Sequence, residues 1–156
     1  MLAKLEPHHR AKVASLLAAT PEFTPAEVEV ALELVDCALA DPLSDDYRFI
    51  VAEDGDRLLG YACFGSTPMT EGCYDLYWLV VDQAARRLGV GRELMAATES
   101  LLRSIGARLV RVETAGLETY ASTRHFYERV GYGEVARIRD FYWRGNDLCI
   151  FAKYLD

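Results

Sequence analysis

The run Tyr74-Asp75-Leu76-Tyr77-Trp78-Leu79-Val80-Val81 is the most aromatic and apolar stretch of the chain. A strand that is apolar on both faces needs cover above and below, which places it centrally in a sheet. The remaining segments are therefore read for the strands beside it and the helices over it.

Pro7 to Ala19 reads as a helix. A second helix is announced by Thr24-Pro25-Ala26-Glu27, where Thr24 caps, Pro25 suits the first turn and Glu27 closes a capping box. Its apolar positions Val28, Leu32, Val35 and Leu39 keep helical spacing and stop before Asp41-Pro42. The period then changes to two. Tyr47 to Ala52 is a strand, Asp54-Gly55-Asp56 a hairpin turn, and Leu58 to Phe64 its antiparallel partner. Beyond Tyr74–Val81, a helix is expected from Val90 to Ile105, with Val90, Leu94, Leu101 and Ile105 on its buried stripe. Arg92, Glu99 and Arg103 face water in this reading, and Gly106 ends the helix. Arg108 to Glu113 is a strand and Ser122 to Val130 a short helix stopped by Gly131. Two last strands flank Arg144-Gly145-Asn146-Asp147. The order α-α-β-β-β-α-β-α-β-β gives an α/β chain of the α+β kind, with a mixed, largely antiparallel sheet and helices on its faces.

No repeat, linker or low-complexity tract divides residues 1–156, so one domain is expected. No apolar window approaches the ~18 residues of a spanning helix, and the N-terminus has no apolar signal core. A cytoplasmic protein without a membrane partner is expected. Cys37, Cys63, Cys73 and Cys149 form no C-x-x-C pair, which argues against a metal site and for buried, reduced thiols.

The net charge of −7 is unevenly spread. Residues 18–82 carry fourteen acids against Arg48 and Arg57, whereas residues 83–111 carry six arginines against Glu93 and Glu99. An acidic chain makes a poor nucleic-acid binder, because phosphate neutralisation needs an extended basic face. One short cationic segment fits a small anionic ligand.

That segment follows the central strand: Leu79-Val80-Val81-Asp82-Gln83-Ala84-Ala85-Arg86-Arg87-Leu88-Gly89-Val90-Gly91-Arg92. A buried strand ends, an arginine-bearing loop follows, and a helix opens on two glycines. The first turn of a helix has unpaired N–H groups and about half a positive charge. Gly89 and Gly91 remove side chains that would hold a phosphate away from it. No Gly-Lys-Ser/Thr follows, and Leu94 stands where a dinucleotide fingerprint needs its third glycine.

Arg86-x-x-Gly89-x-Gly91 after Leu-Val-Val-Asp resembles the acyl-CoA signature (R/Q-x-x-G-x-G/A) of the GNAT superfamily of N-acetyltransferases. Phe126-Tyr127-Glu128-Arg129-Val130-Gly131-Tyr132 is similar to that family's F-Y-x-x-x-G-F/Y helix end. The resemblance covers residues 47–155 and implies a GNAT-like fold of six to seven strands and about four helices.

It implies an acetyl-CoA-dependent N-acetyltransferase without a metal. Arg86 would head the cofactor loop, and the backbone N–H groups of Arg87, Leu88, Gly89, Val90, Gly91 and Arg92 would cradle the CoA pyrophosphate. Leu79, Val80 and Val81 would hold the pantetheine arm where their strand splays from Arg108–Glu113. Tyr127 would protonate the departing thiolate. Glu113, or a water, would take the proton of an amine whose free pKa is about 10.4. Asp75 and Tyr77 are candidates for binding the substrate on the slot's other wall, and Asp75 is a second candidate base. The sequence departs from the family in its long Thr114–Tyr120 link and in lacking an asparagine there, for which Ser122 or Thr123 would substitute. A small cationic amine is slightly favoured over a protein N-terminus or lysine, given the acidic first half. The resemblance admits a homodimer, though no residue marks its interface. The alternative is a non-catalytic acyl-CoA-binding sensor or interaction module.

Overall fold

The computed structural model describes residues 1–156. It contains seven strands: β1 (Leu2–Lys4), β2 (Arg48–Asp54), β3 (Arg57–Ser66), β4 (Cys73–Val81), β5 (Leu109–Ala115), β6 (Gly133–Trp143) and β7 (Asn146–Tyr154). Four helices accompany them: α1 (His9–Ala18), α2 (Pro25–Ala40), α3 (Val90–Ser104) and α4 (Ala121–Arg129). The sheet order is β1-β2-β3-β4-β5-β7-β6, so the apolar strand β4 is the central one, as its composition requires. Every neighbouring pair is antiparallel except β4 with β5. β1 carries no readable period in its three residues and was not expected from the sequence. It is fixed by pairing with Ile50–Ala52 of β2.

Both faces of the sheet are covered. One face buries Phe64, Tyr74, Leu76, Val110, Val112 and Phe151 with Val90, Leu94, Met95 and Leu102 of α3 and Tyr127 of α4. The other buries Phe49, Val51, Tyr61, Cys63 and Val80 with Val13 and Leu17 of α1 and Ala31 and Val35 of α2. The capping box of α2 forms as expected: Glu27 N–H donates to Thr24 Oγ1 at 3.2 Å, and Thr24 N–H to Glu27 Oε2 at 2.7 Å.

The stripe of α3 differs from the expected one. Leu101 and Ile105 are exposed, while Met95, Thr98, Glu99 and Leu102 are buried. The reason is Glu99, which turns inward because Lys153 Nζ of β7 donates to both its oxygens, at 3.0 and 2.8 Å. A carboxylate so matched can be buried beside Leu94, Met95 and Leu102 on the same face. The thiols also divide: Cys63 and Cys149 are buried, Cys73 is half-buried and Cys37 is exposed. Cys37 lies outside the α2 stripe that faces the sheet. No helix is long and apolar enough to cross a membrane.

Candidate active site

The parallel pair β4–β5 is short. Cys73–Leu76 pair with Leu109–Val112, and there the two strands part. β4 continues to Val81 paired only with β3, and β5 continues to Ala115 paired only with β7. The β4 backbone from Tyr77 to Val81 therefore presents one edge to an opening in the middle of the sheet. The parting coincides with a bulge: Cys63 faces Trp78 and Phe64 faces Leu76, leaving Tyr77 without a partner across β3. Such a bulge bends and twists its strand, which turns β4 away from β5. The Val80 side chain is buried against α1 and α2, while Leu79 and Val81 pack toward α3 and α4.

The loop after β4 is held from both ends. Asp82 accepts from Ala84 N–H at 2.8 Å and from Arg57 at 3.0 Å, fixing a 3-10 turn over Gln83–Ala85. These bonds hold the Asp82 carboxyl below its usual pKa, with Arg57 the larger cause. Arg87 and Gly89 are left-handed, at φ 69° and 88°. The N–H groups of Arg87, Gly89, Val90, Gly91 and Arg92 have no backbone acceptor. That of Leu88 is spent on Ala85 O at 3.3 Å. Five free N–H groups at the positive end of a fifteen-residue helix form a cradle able to accept an anionic group.

The two glycines serve this cradle differently from the sequence reading. A Cβ on Gly89 would meet nothing within 4 Å, so Gly89 is needed for its left-handed φ. A Cβ on Gly91 would meet the Phe126 ring at 3.3 Å, inside the protein. Gly91 thus lets α4 approach α3, and its role toward a phosphate is indirect. Arg86 is also placed unexpectedly. Its guanidinium is engaged by Glu22 at 2.8 Å and donates to Val81 O at 3.4 Å. Arg87 and Arg92 make no ion pair.

Tyr127 lies on α4, its ring among Phe126, Tyr132 and Phe151 at centroid distances of 5.6, 5.9 and 6.1 Å. Its hydroxyl makes no hydrogen bond within the protein, yet it is not among the sealed, unpartnered polar atoms. Burial pushes the phenol above its ordinary pKa, so it is neutral at physiological pH. The long link to α4 is wound up rather than loose. Arg124 donates to Ala115 O at 2.7 Å and Leu117 O at 2.8 Å, and Glu118–Tyr120 form a 3-10 turn. Ser122 and Thr123 make no side-chain hydrogen bond, so neither takes over an asparagine's contacts within the chain.

On β5, Val110 and Val112 face α3 and α4, so Arg111 and Glu113 face the other side. Glu113 and Tyr127 accordingly stand on opposite faces of the sheet. The Glu113 carboxylate is about half exposed, with Arg111 at 3.6 Å. Asp75 is differently committed: it accepts from Arg111 Nε at 2.6 Å and Thr67 Oγ1 at 2.9 Å, and it is buried. Each of its oxygens thus already holds one donor from the protein. Tyr77 packs edge-on against Tyr47 at 5.6 Å, and burial, then Asp75, pushes its phenol up to about 12.

Other groups near this face were not found from the sequence. The Tyr142 phenol on β6 is raised by burial and then by the negative charge of Glu113. Tyr120 donates to Glu22 O at 3.3 Å. Only long-range folding brings these residues together, and no spacing signals it. A cluster of His8, His9 and Glu53 has metal-ligand reach, but both ring nitrogens of His9 are occupied. Nδ1 accepts from Glu6 N–H at 2.9 Å and Nε2 lies 3.2 Å from Glu53.

Known proteins share this chain's sequence pattern and fold. Residues 12–132 match the Acetyltransferase (GNAT) family. A GNAT-family protein structure from Desulfovibrio desulfuricans superposes with a TM-score of 0.96 at 39% identity, covering 100% of this chain and 99% of that one. A crystal structure of an aminoglycoside 6'-N-acetyltransferase with coenzyme A has a TM-score of 0.79 at 19% identity, covering 100% and 97%, a likeness of fold. Mycothiol acetyltransferase of Geodermatophilus obscurus is 36% identical over 109 residues, which are 67% of this chain and 34% of that protein. The chain thus spans about a third of the length of that curated relative. With the family's sequence pattern over most of the chain and its fold over all of it, this protein belongs to the GNAT acetyltransferase family, an enzyme family of N-acetyltransferases.

Proposed function

We propose that this protein, as one domain, transfers the acetyl group of acetyl-CoA to a primary amine by direct attack in a ternary complex. The observation that supports the reading is the β4 edge left unpaired beyond Leu76, with Glu113 and Tyr127 on opposite faces of the sheet. An amine arriving from the Glu113 face meets a carbonyl held at that edge, and the sulfur departs toward Tyr127.

Each residue's part follows from its surroundings. The free N–H groups of Arg87, Gly89, Val90, Gly91 and Arg92 hold the pyrophosphate. The backbone of Leu79, Val80 and Val81 pairs with the pantetheine arm and orients the thioester. Glu113, acting through a water, takes the proton that the amine must lose; the pairing of Asp75 with Arg111 and Thr67 favours Glu113 over it. Tyr127, kept neutral by burial, gives its proton to a thiolate whose ordinary pKa is about 8.5. Asp75 and Tyr77 shape the amine's wall, Asp75 by holding Arg111 back and Tyr77 with its ring.

A small cationic amine suits that wall better than a neutral one, since the Glu113 carboxylate is about half exposed there. A thiol-release assay with acetyl-CoA and a polyamine, an aminoglycoside, a lysine peptide and a free peptide N-terminus tests this directly. Turnover with one class and none with the others identifies the acceptor. CoA binding without thiol release for any amine would instead establish a non-catalytic acyl-CoA-binding module.

A further inference from the structure

Arg86 opens the cofactor loop, yet its side chain is spent inside the protein. One guanidinium nitrogen meets Glu22 Oε1 at 2.8 Å and Nε reaches Val81 O at 3.4 Å. Glu22 lies between α1 and α2, far along the chain from the cofactor loop. Its carboxyl is held below the usual range chiefly by Arg86. Glu22 is itself anchored: its carbonyl accepts from Tyr120 at 3.3 Å, just ahead of α4. The next residue, Phe23, stacks edge-on against Trp78 of the free β4 segment at 5.2 Å.

We infer that Glu22 is a positioning residue for the cofactor loop: it acts through Arg86, and it ties that loop to the α1–α2 segment on the amine side. The inference rests on the acyl-CoA reading given above. Its physical content is that the free N–H groups of residues 87–92 are aimed by a loop whose leading side chain is braced at both ends. Without the brace Arg86 regains its rotamers and the loop its freedom, and the cradle must be ordered at the expense of binding. The pair is partly exposed, 42% for Arg86 and 28% for Glu22, so its loss has a modest effect on overall stability.

The test is a double-mutant cycle on CoA affinity, measured calorimetrically with Glu22→Ala, Arg86→Ala and the double variant, each with its unfolding midpoint. Each single substitution should weaken CoA about three- to tenfold, with the midpoint little changed. The double should bind no more weakly than either single, since the residues act as one unit. Hydrogen exchange of residues 20–24 supplies a second readout: CoA should slow it in the parent protein and not in Glu22→Ala. An unchanged affinity in Glu22→Ala, additive losses, or CoA protection surviving in that variant overturns the inference. A loss with Arg86→Ala alone also overturns it, because Arg86 would then act on the phosphates itself. A parent protein that binds no CoA overturns the cofactor reading and this inference with it.

Discussion

Lys153→Met should cost this protein about 2–3 kcal/mol. Lys153 Nζ donates to Glu99 at 3.0 and 2.8 Å and to Val130 O, the carbonyl capping α4, at 2.8 Å. Glu99 is 7% exposed and Lys153 22%. Removing one partner of a fully buried ion pair typically costs about 3–5 kcal/mol, because a charge is left unpaired. Here Arg103, 3.3 Å from Glu99 but itself half exposed, offsets part of that loss. Methionine matches the lysine stem, so little packing is lost and the effect isolates the charge. Urea unfolding is the assay, with an unchanged m-value as the sign that both end states are preserved. For a chain of this size about 2–4 °C per kcal/mol applies, so the melting midpoint should fall by roughly 4–12 °C. The double variant Glu99→Met, Lys153→Met should recover more than half of the loss, since an apolar pair needs no partner. A single-variant loss under about 0.5 kcal/mol would refute the view that this pair ties α3 to β7 and the end of α4.

Tyr127→Phe should lower kcat at least about tenfold while leaving the CoA dissociation constant within about twofold, as loss of a proton donor used only in the reaction predicts. An unchanged kcat would remove Tyr127 from the chemistry. At alkaline pH the buried tyrosines Tyr61, Tyr127 and Tyr132 should destabilise the fold. Burial raises their folded pKa values above the unfolded one of about 10, so their contribution is intact below pH 10 and is lost as pH rises. Three such groups give a slope of about 4 kcal/mol per pH unit beyond that point, read from urea midpoints between pH 9 and 11. Thr24→Ala removes the side-chain acceptor of the α2 capping box and should cost about 1 kcal/mol in the same assay.

What the chain discloses before folding is what depends on local spacing. The change of period at Asp41-Pro42, the capping box at Thr24 and the two-faced apolar run at 74–81 each act over a few residues, and each appears in the structure. The strand-loop-helix segment at 79–92 is equally local, so the unpaired N–H groups at the start of α3 could be read from it. What escaped depends on partners far along the chain. Glu99 looks solvent-facing until Lys153, 54 residues away, is placed beside it. Arg86 looks free for a ligand until folding brings Glu22, 64 residues away, to its guanidinium. Gly91 looks like clearance for a phosphate until Phe126 is found against it. The sidedness of Glu113 and Tyr127 belongs to the same class, because it follows from strand pairing and from which face α4 covers.

The central claim is that the start of α3 and the open edge of β4 together hold acetyl-CoA. Titration calorimetry of the purified protein with acetyl-CoA, beside CoA, ATP and NAD, tests it most directly. Acetyl-CoA and CoA should bind saturably and one-to-one, ATP and NAD much more weakly, and a folded Gly89→Glu variant should lose CoA binding. Failure to bind any CoA species, or equal binding of ATP and NAD, would contradict it.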